Sequence, residues 1–229
     1  MLLLQNINLV SNSQALHYSD VSHLFGILFF KSALVTLCYH PSAFLLHHRP
    51  LRRKSENMIR PILIHPDPRL KRLSDPISEI SADVGKLAED MLSTMYDAPG
   101  VGLAAPQVGV NRRLFVMDCV KDPDLAARPM VLINPEIIWA SEDLATYEEG
   151  CLSIPDQYAD VERPSEVAMR WLGLDGKTHE EQFAGLWATC VQHEIDHLDG
   201  KLFIDYLRPL KRQMITRKME KLKRELARG

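Results

Sequence analysis

"QHEIDHLDG", residues 192–200, is the stretch on which the reading of this chain turns. It sets His193 and His197 four positions apart, with Glu194 between them. On an α-helix such a pair lies on one face, a turn apart, so both imidazoles can reach one ion. Glu194 is rotated about 100° from His193, which suits a carboxylate reaching a water beside the ion. A solvated surface helix would spell the same letters. A third ligand separates the two readings.

Metalloproteases built on this motif take that ligand from downstream. One pattern continues H-x-x-G-x-x-H. Gly200 fills its glycine position, but the next ligand slot is Phe203, which cannot bind metal. Another takes a glutamate from a following helix. Glu220 stands there, among lysines and arginines that make an ion pair the commoner role. Cysteines offer other choices, at positions 38, 119, 151 and 190. None forms a C-x-x-C pair, and their spacing suits a reducing compartment better than a disulfide framework. Cys190 faces the same way as His193 but lies seven residues from His197, about 10.5 Å of helix rise, and reads as a lining residue. Cys119, in the apolar run "RLFVMDCV", reads as core. Cys151, in "EEGCLSIP", reads as a loop cysteine beside a glycine, outside any periodic pattern. Residue chemistry alone leaves the choice open.

The 229 residues are 46% apolar and 25% charged, which fits one domain with an appendage. Net charge is −3, too small to advertise DNA binding, but it is unevenly placed. Residues 1–57 hold five Lys/Arg and two Asp/Glu, net +3, which leaves −6 for residues 58–229. From Pro209 onward eight Lys/Arg face two glutamates. The extension contains "LFGILFFKSALVTLCYHPSAFLL", residues 24–46. Lys31 and Pro41 count against a spanning helix, and the lack of a basic n-region counts against a cleaved signal. We expect residues 1–57 to be dispensable and the domain to occupy 58–229. Membrane association is not expected. A cytoplasmic location is, with organellar targeting through the extension as the alternative.

From Met58 the pattern becomes orderly. "HPDPRLKRL" is turn-rich and begins a short helix. "SADVGKLAEDMLSTMY" predicts a helix capped by Ser81, with Val84, Leu87, Ala88, Met91, Leu92 and Met95 on one face. Strand-like runs follow: "RLFVMDCV", "MVLINPEIIWA", "EVAMRWL" and "THEEQFA". A second helix should span Leu186 to His197. A third, with Pro209 near its start, should pack through Leu210, Met214, Leu222 and Leu226. Helices at the ends with strands between indicate an α+β fold.

Three stretches then speak together. "GVGLAAPQ" (100–107), "EGCLS" (149–153) and "QHEIDH" (192–197) resemble, in order and spacing, the three motifs of the peptide deformylases, in their bacterial and plastid form. The likeness extends through "LINPEI" and "LFIDYLRPLKR", over nearly all of residues 58–229. Nothing upstream of Met58 shares it. The resemblance implies short antiparallel sheets around a central metal-binding helix, followed by a C-terminal helix. It implies Cys151, His193 and His197 as ligands of one ion, Fe(II) before zinc, nickel or cobalt. It implies hydrolysis of the N-formyl group from the initiator methionine of nascent peptides. In that reaction the metal polarises the formyl oxygen and acidifies a water, and Glu194 takes the water's proton and passes it to the leaving amine. Gln107 and the backbone N–H of Leu152 would serve the oxyanion. Val101, Gly102, Tyr147, Leu186, Thr189 and Cys190 would border the substrate and its methionine pocket. Many relatives carry an arginine where this chain has Tyr158, so no peptide contact is carried over to it. The family also implies a monomer whose basic C-terminal helix docks on the ribosome near the tunnel exit. A zinc endopeptidase would instead need Glu220 as ligand. A catalytically silent module would need neither Glu194 nor Gln107.

Overall fold

The structure, a computed structural model, describes residues 57–122 and 124–228. Expectations about residues 1–56 therefore lie outside the described residues. Among the described residues there are three α-helices, α1 (Ala82–Asp97), α2 (Gly185–Leu198) and α3 (Pro209–Leu226). Seven strands are β1 (Gly102–Ala104), β2 (Leu114–Met117), β3 (Met130–Ala140), β4 (Leu144–Cys151), β5 (Ile154–Pro164), β6 (Glu166–Leu172) and β7 (Thr178–Ala184). Five pair antiparallel in the order β1-β2-β3-β6-β7, and β4 and β5 form a separate hairpin. The α+β expectation holds.

The sheet is covered on both faces, and side-chain alternation sorts its residues between them. Phe115, Met117, Leu132, Val167, Met169 and Trp171 pack with Ala188, Val191, Ile195 and Leu198 of α2. Leu114, Val116 and Ile133 point the other way, onto Leu87, Met91 and Met95 of α1. β2 is buried at every position because both of its faces are covered. Within β3, Asn134 takes a left-handed backbone (φ 48°) where the register with β6 shifts. Its side chain exchanges hydrogen bonds with the backbone of Ile77, at 2.8 and 2.7 Å, which offsets the conformational cost.

The β4–β5 hairpin packs by its inner face on a third cluster. There Ile154, Ala159 and Val161 meet Leu202, then Phe203 and Ile204 of the 3-10 turn Phe203–Tyr206, and Ile215 and Met219 of α3. The end of α2 is pinned at Gly200, where φ is 72° and a β-carbon would stand 2.6 Å from the Lys71 carbonyl oxygen. No helix among the described residues is long and apolar enough to cross a membrane.

Four expectations need correction. β4 and β5 carry no strong alternating apolar signal and were not anticipated; "EEGCLSIP" is not a loop, and Cys151 is the last residue of β4. "RLFVMDCV" is strand only over Leu114–Met117. Ser81 occupies the N-cap position of α1 but makes no side-chain capping bond. The stripe foreseen for α3 mixes two sides of the helix, Leu210 and Met214 on one and Leu222 and Leu226 on the other. Leu210, Met214 and Leu226 are exposed, and Ile215 and Met219 are buried, with Leu222 partly covered beside them. Leu210 and Met214 sit about 100° round from the line of Ile215, Met219 and Leu222. Ile215, Met219, Leu222 and Leu226 form the more apolar line of α3, and that line faces the hairpin cluster until the helix end, where Leu226 is exposed.

Candidate metal centre and substrate cleft

The hairpin carries Cys151 to the side of α2. Its Sγ lies 3.2 Å from His197 Nε2, and one ligand atom each from Cys151, His193 and His197 fall within 4.8 Å of one another. Ligands about 2.0–2.3 Å from a tetrahedral ion stand on the order of 3.5 Å apart, so this donor set fits a divalent ion. A register shift between Gly150 and Cys151 aims the sulfur. The two imidazoles meet nearly edge-on, with centroids 4.9 Å apart.

Glu194 lies beside them and is buried. Its Oε2 has no hydrogen-bond partner among the described residues, and neither has His197 Nδ1. Burial pushes the Glu194 carboxyl up to about 7. Gly102 of β1 makes this placement possible, since a β-carbon there would lie 2.3 Å from Glu194 Oε1 and 2.9 Å from Cys190 Sγ. Gln107 is held by its own carbonyl, which accepts from the Ala104 N–H at 2.8 Å. That leaves its amide nitrogen facing Cys151 Sγ at 3.5 Å and Ser153 Oγ at 3.2 Å.

These groups open into a cleft of about 800 Å³. Every residue expected from the resemblance to border substrate lines it: Val101, Gly102, Tyr147, Leu186, Thr189 and Cys190, with Gln107 and Leu152 alongside. Cys190 is buried, its Sγ 3.6 Å from the Val101 carbonyl oxygen, away from the ligand cluster. Tyr158, assigned no contact above, also lines the cleft, close against Gly150.

Sequence reasoning missed the groups that hold the ligands. His193 Nδ1 bonds Glu149 Oε2 at 2.8 Å. Arg163 donates to both oxygens of Glu149, at 2.6 and 3.0 Å, and to Asp196 Oδ2 at 2.8 Å. Burial alone would lower His193, but its bonds to Cys151 and Glu149 outweigh that and raise its pKa. Burial would likewise raise Glu149, yet His193 and Arg163 hold it below its ordinary value. Glu149 and Asp196 sit inside quoted motifs, beside Cys151 and between the two histidines. Arg163, twelve positions past Cys151, has no local signal at all.

A helix bearing His-Glu-x-x-His, with a cysteine delivered from a hairpin and a buried carboxylate at the mouth of a cleft, defines a metal-dependent hydrolase. The comparisons narrow the class. The family model described as polypeptide deformylase matches residues 59–213. A peptide deformylase of Afipia carboxidovorans is 57% identical over 163 residues, covering 71% of this chain and 95% of its own. One of Mesorhizobium japonicum is 53% identical over 171 residues, covering 75% and 97%. Among solved structures, a peptide deformylase from Legionella pneumophila is 47% identical with TM-score 0.69, covering 75% of this chain and 99% of that one. The Ehrlichia chaffeensis enzyme in complex with actinonin is 36% identical with TM-score 0.70, covering 73% and 99%. The chain belongs to the polypeptide deformylase family. It is a metal-dependent hydrolase that removes the N-formyl group from the N-terminal methionine of nascent polypeptides.

Proposed function

We propose that Cys151, His193 and His197 hold one Fe(II), for which zinc, nickel or cobalt can substitute, and that Glu194 moves the proton in deformylation. The observation that carries this reading is the buried, unpartnered Oε2 of Glu194 beside three convergent ligand atoms. When bound, the ion supplies a Lewis acid that polarises the formyl oxygen and acidifies a water. Glu194 accepts that water's proton and returns it to the leaving amine, within a pocket that keeps bulk solvent away. Gln107 Nε2 and the Leu152 N–H donate to the oxyanion as it forms. Gln107 needs little reorganisation, because its carbonyl is already fixed by Ala104. Val101, Gly102, Tyr147, Leu186, Thr189 and Cys190 shape the site around a methionine side chain. The test is hydrolysis of formyl-Met-Ala-Ser with metal analysis of anaerobically purified protein. Formate release with one iron per chain supports the reading; equal activity after complete metal removal overturns it. Iron and nickel forms challenged with peroxide check the ion, since only the iron form should inactivate quickly.

α3 is proposed as the docking element for the ribosome, and the enzyme as a cytoplasmic monomer. Its exposed residues include Arg217, Lys218, Lys221 and Arg224, in a segment where eight Lys/Arg face two glutamates. Such a surface attracts RNA phosphates in a salt-dependent manner. Deleting the chain after Leu210 should abolish co-sedimentation with ribosomes at low salt and spare hydrolysis of the free tripeptide. Unchanged co-sedimentation would reduce α3 to scaffold. Residues 1–57 are proposed to be dispensable, and protein starting at Met58 should match the full chain in kcat/KM.

A further inference from the structure

We infer that Tyr206 is a positioning residue for the metal centre: its hydroxyl and ring secure the ion-pair network that orients His193. The inference rests on the metal-ligand role proposed for His193.

The network is unusual for its depth. Arg163 is a single cation between two carboxylates, Glu149 and Asp196, and the three side chains are 6%, 3% and 10% exposed. Burying three charges is costly unless every oxygen and N–H finds a partner. Glu149 is satisfied on both oxygens by Arg163 and His193. Asp196 meets Arg163 through Oδ2 only. Its Oδ1 accepts from the Tyr206 hydroxyl at 3.0 Å. The Tyr206 ring also lies under the guanidinium, 4.8 Å from centroid to Cζ. Tyr206 is half exposed, so it forms the outer boundary between this network and solvent.

A second observation comes from the same turn. Phe203 opens the 3-10 turn that Tyr206 closes. It is 1% exposed, and its ring stacks on that of His193 with centroids 6.3 Å apart. Phe203 occupies the position where some metalloproteases place a third histidine. Here it steadies an existing ligand instead. One turn thus constrains the His193 ring twice, from its face through Phe203 and from its Nδ1 edge through Tyr206, Asp196, Arg163 and Glu149. Without the hydroxyl, Asp196 Oδ1 loses its donor, the carboxylate turns toward Arg163, and Glu149 and His193 follow.

Tyr206→Phe separates the hydroxyl from the ring, which stays over Arg163. The comparison variant is Tyr96→Phe, which removes a similar bond, Tyr96 hydroxyl to Asp118 Oδ2 at 2.7 Å, outside the network of Arg163, Glu149 and Asp196. Both are loaded with Co(II), and three quantities are read: loss of metal to a chelator, the visible Co(II) spectrum, and kcat and KM on formyl-Met-Ala-Ser. Replacing a direct outer partner of a ligand typically costs about 10–100-fold in metal affinity or activity. Tyr206 acts through intermediaries, so we expect metal loss about 5-fold faster, a shifted spectrum, and a lower kcat at nearly constant KM. Tyr206→Leu, which also removes the ring, should go further in the same direction, and Tyr96→Phe should match the native protein. A native spectrum and native metal-loss rate in Tyr206→Phe overturn the inference. So does an equal change in Tyr96→Phe, which would mark general loosening.

Discussion

α2 and α3 are built from different materials: α2 is the more apolar helix but carries a polar second half, and α3 is half charged with a thin apolar line. α2 carries glutamine, histidine, glutamate and aspartate in its second half, yet eleven of its fourteen residues are buried. α3 displays leucines and methionines, yet two of its eighteen residues are buried. Hydropathy accounts for part of the difference, and partners account for the burial of the polar half of α2. Most of the polar groups of α2 meet a designated neighbour: His193 meets Glu149, Asp196 meets Arg163 and Tyr206, and Gln192 bonds the Pro164 carbonyl at 3.0 Å. Polar burial is tolerable when each group is paired. α3 packs one edge on the hairpin cluster, and the rest of its surface faces solvent in the described chain. A helix can therefore be central and polar, or peripheral and partly apolar, according to what lies beside it.

The sharpest break in this contrast comes at the ligand α2 borrows from the hairpin. Cys151→Ala should lose most bound metal and nearly all activity, whereas Cys190→Ser should keep its metal. Metal content by mass spectrometry decides between them; the reverse pattern would move the thiolate ligand onto the helix itself. Next in size is Glu194, whose buried Oε2 has no partner among the described residues. Glu194→Gln should fold and bind metal but lose at least ~10²-fold in kcat, the usual scale for a removed general base. Near-normal turnover would end its proton-transfer role.

A smaller effect tests how tightly α2 is enclosed. In Gly102→Ala the added carbon meets Glu194 Oε1 at 2.3 Å, so β1 or the carboxylate must shift. A displacement near 1 Å can cost up to about 10²-fold. We expect at least ~10-fold in kcat with metal content unchanged, and an unaltered kcat would show that the wall yields freely. The smallest effects belong to α3. Met219→Ala should destabilise by about 2 kcal/mol in urea unfolding, the low end for a buried methionine. Leu210→Ala should stay within ~0.5 kcal/mol, as expected for an exposed side chain. Equal losses at the two positions would restore the stripe expected from the letters alone.

The sequence by itself determined what is local. The spacing of His193, Glu194 and His197 requires only helical periodicity, so a shared face follows from four positions in one stretch. The alternating run of β6 has the bounds its letters predict, because that strand presses one face onto α2, and β7 has the predicted bounds with Phe183 alone buried. The motif resemblance added Cys151, Gln107 and the cleft residues, since it carries long-range proximity that composition cannot express. Tertiary structure decided the rest. The hairpin of β4 and β5 was illegible because it buries few apolar residues per strand, and its register, with the shift at Gly150 and Cys151, brings a sulfur to a histidine 46 positions away. Arg163 and Tyr206 gained their places through the same pairing. An arginine and a tyrosine in polar text read as surface residues. They become part of a buried network only where two carboxylates from distant elements converge, because such carboxylates stay charged in low dielectric only with a cation and donors beside them.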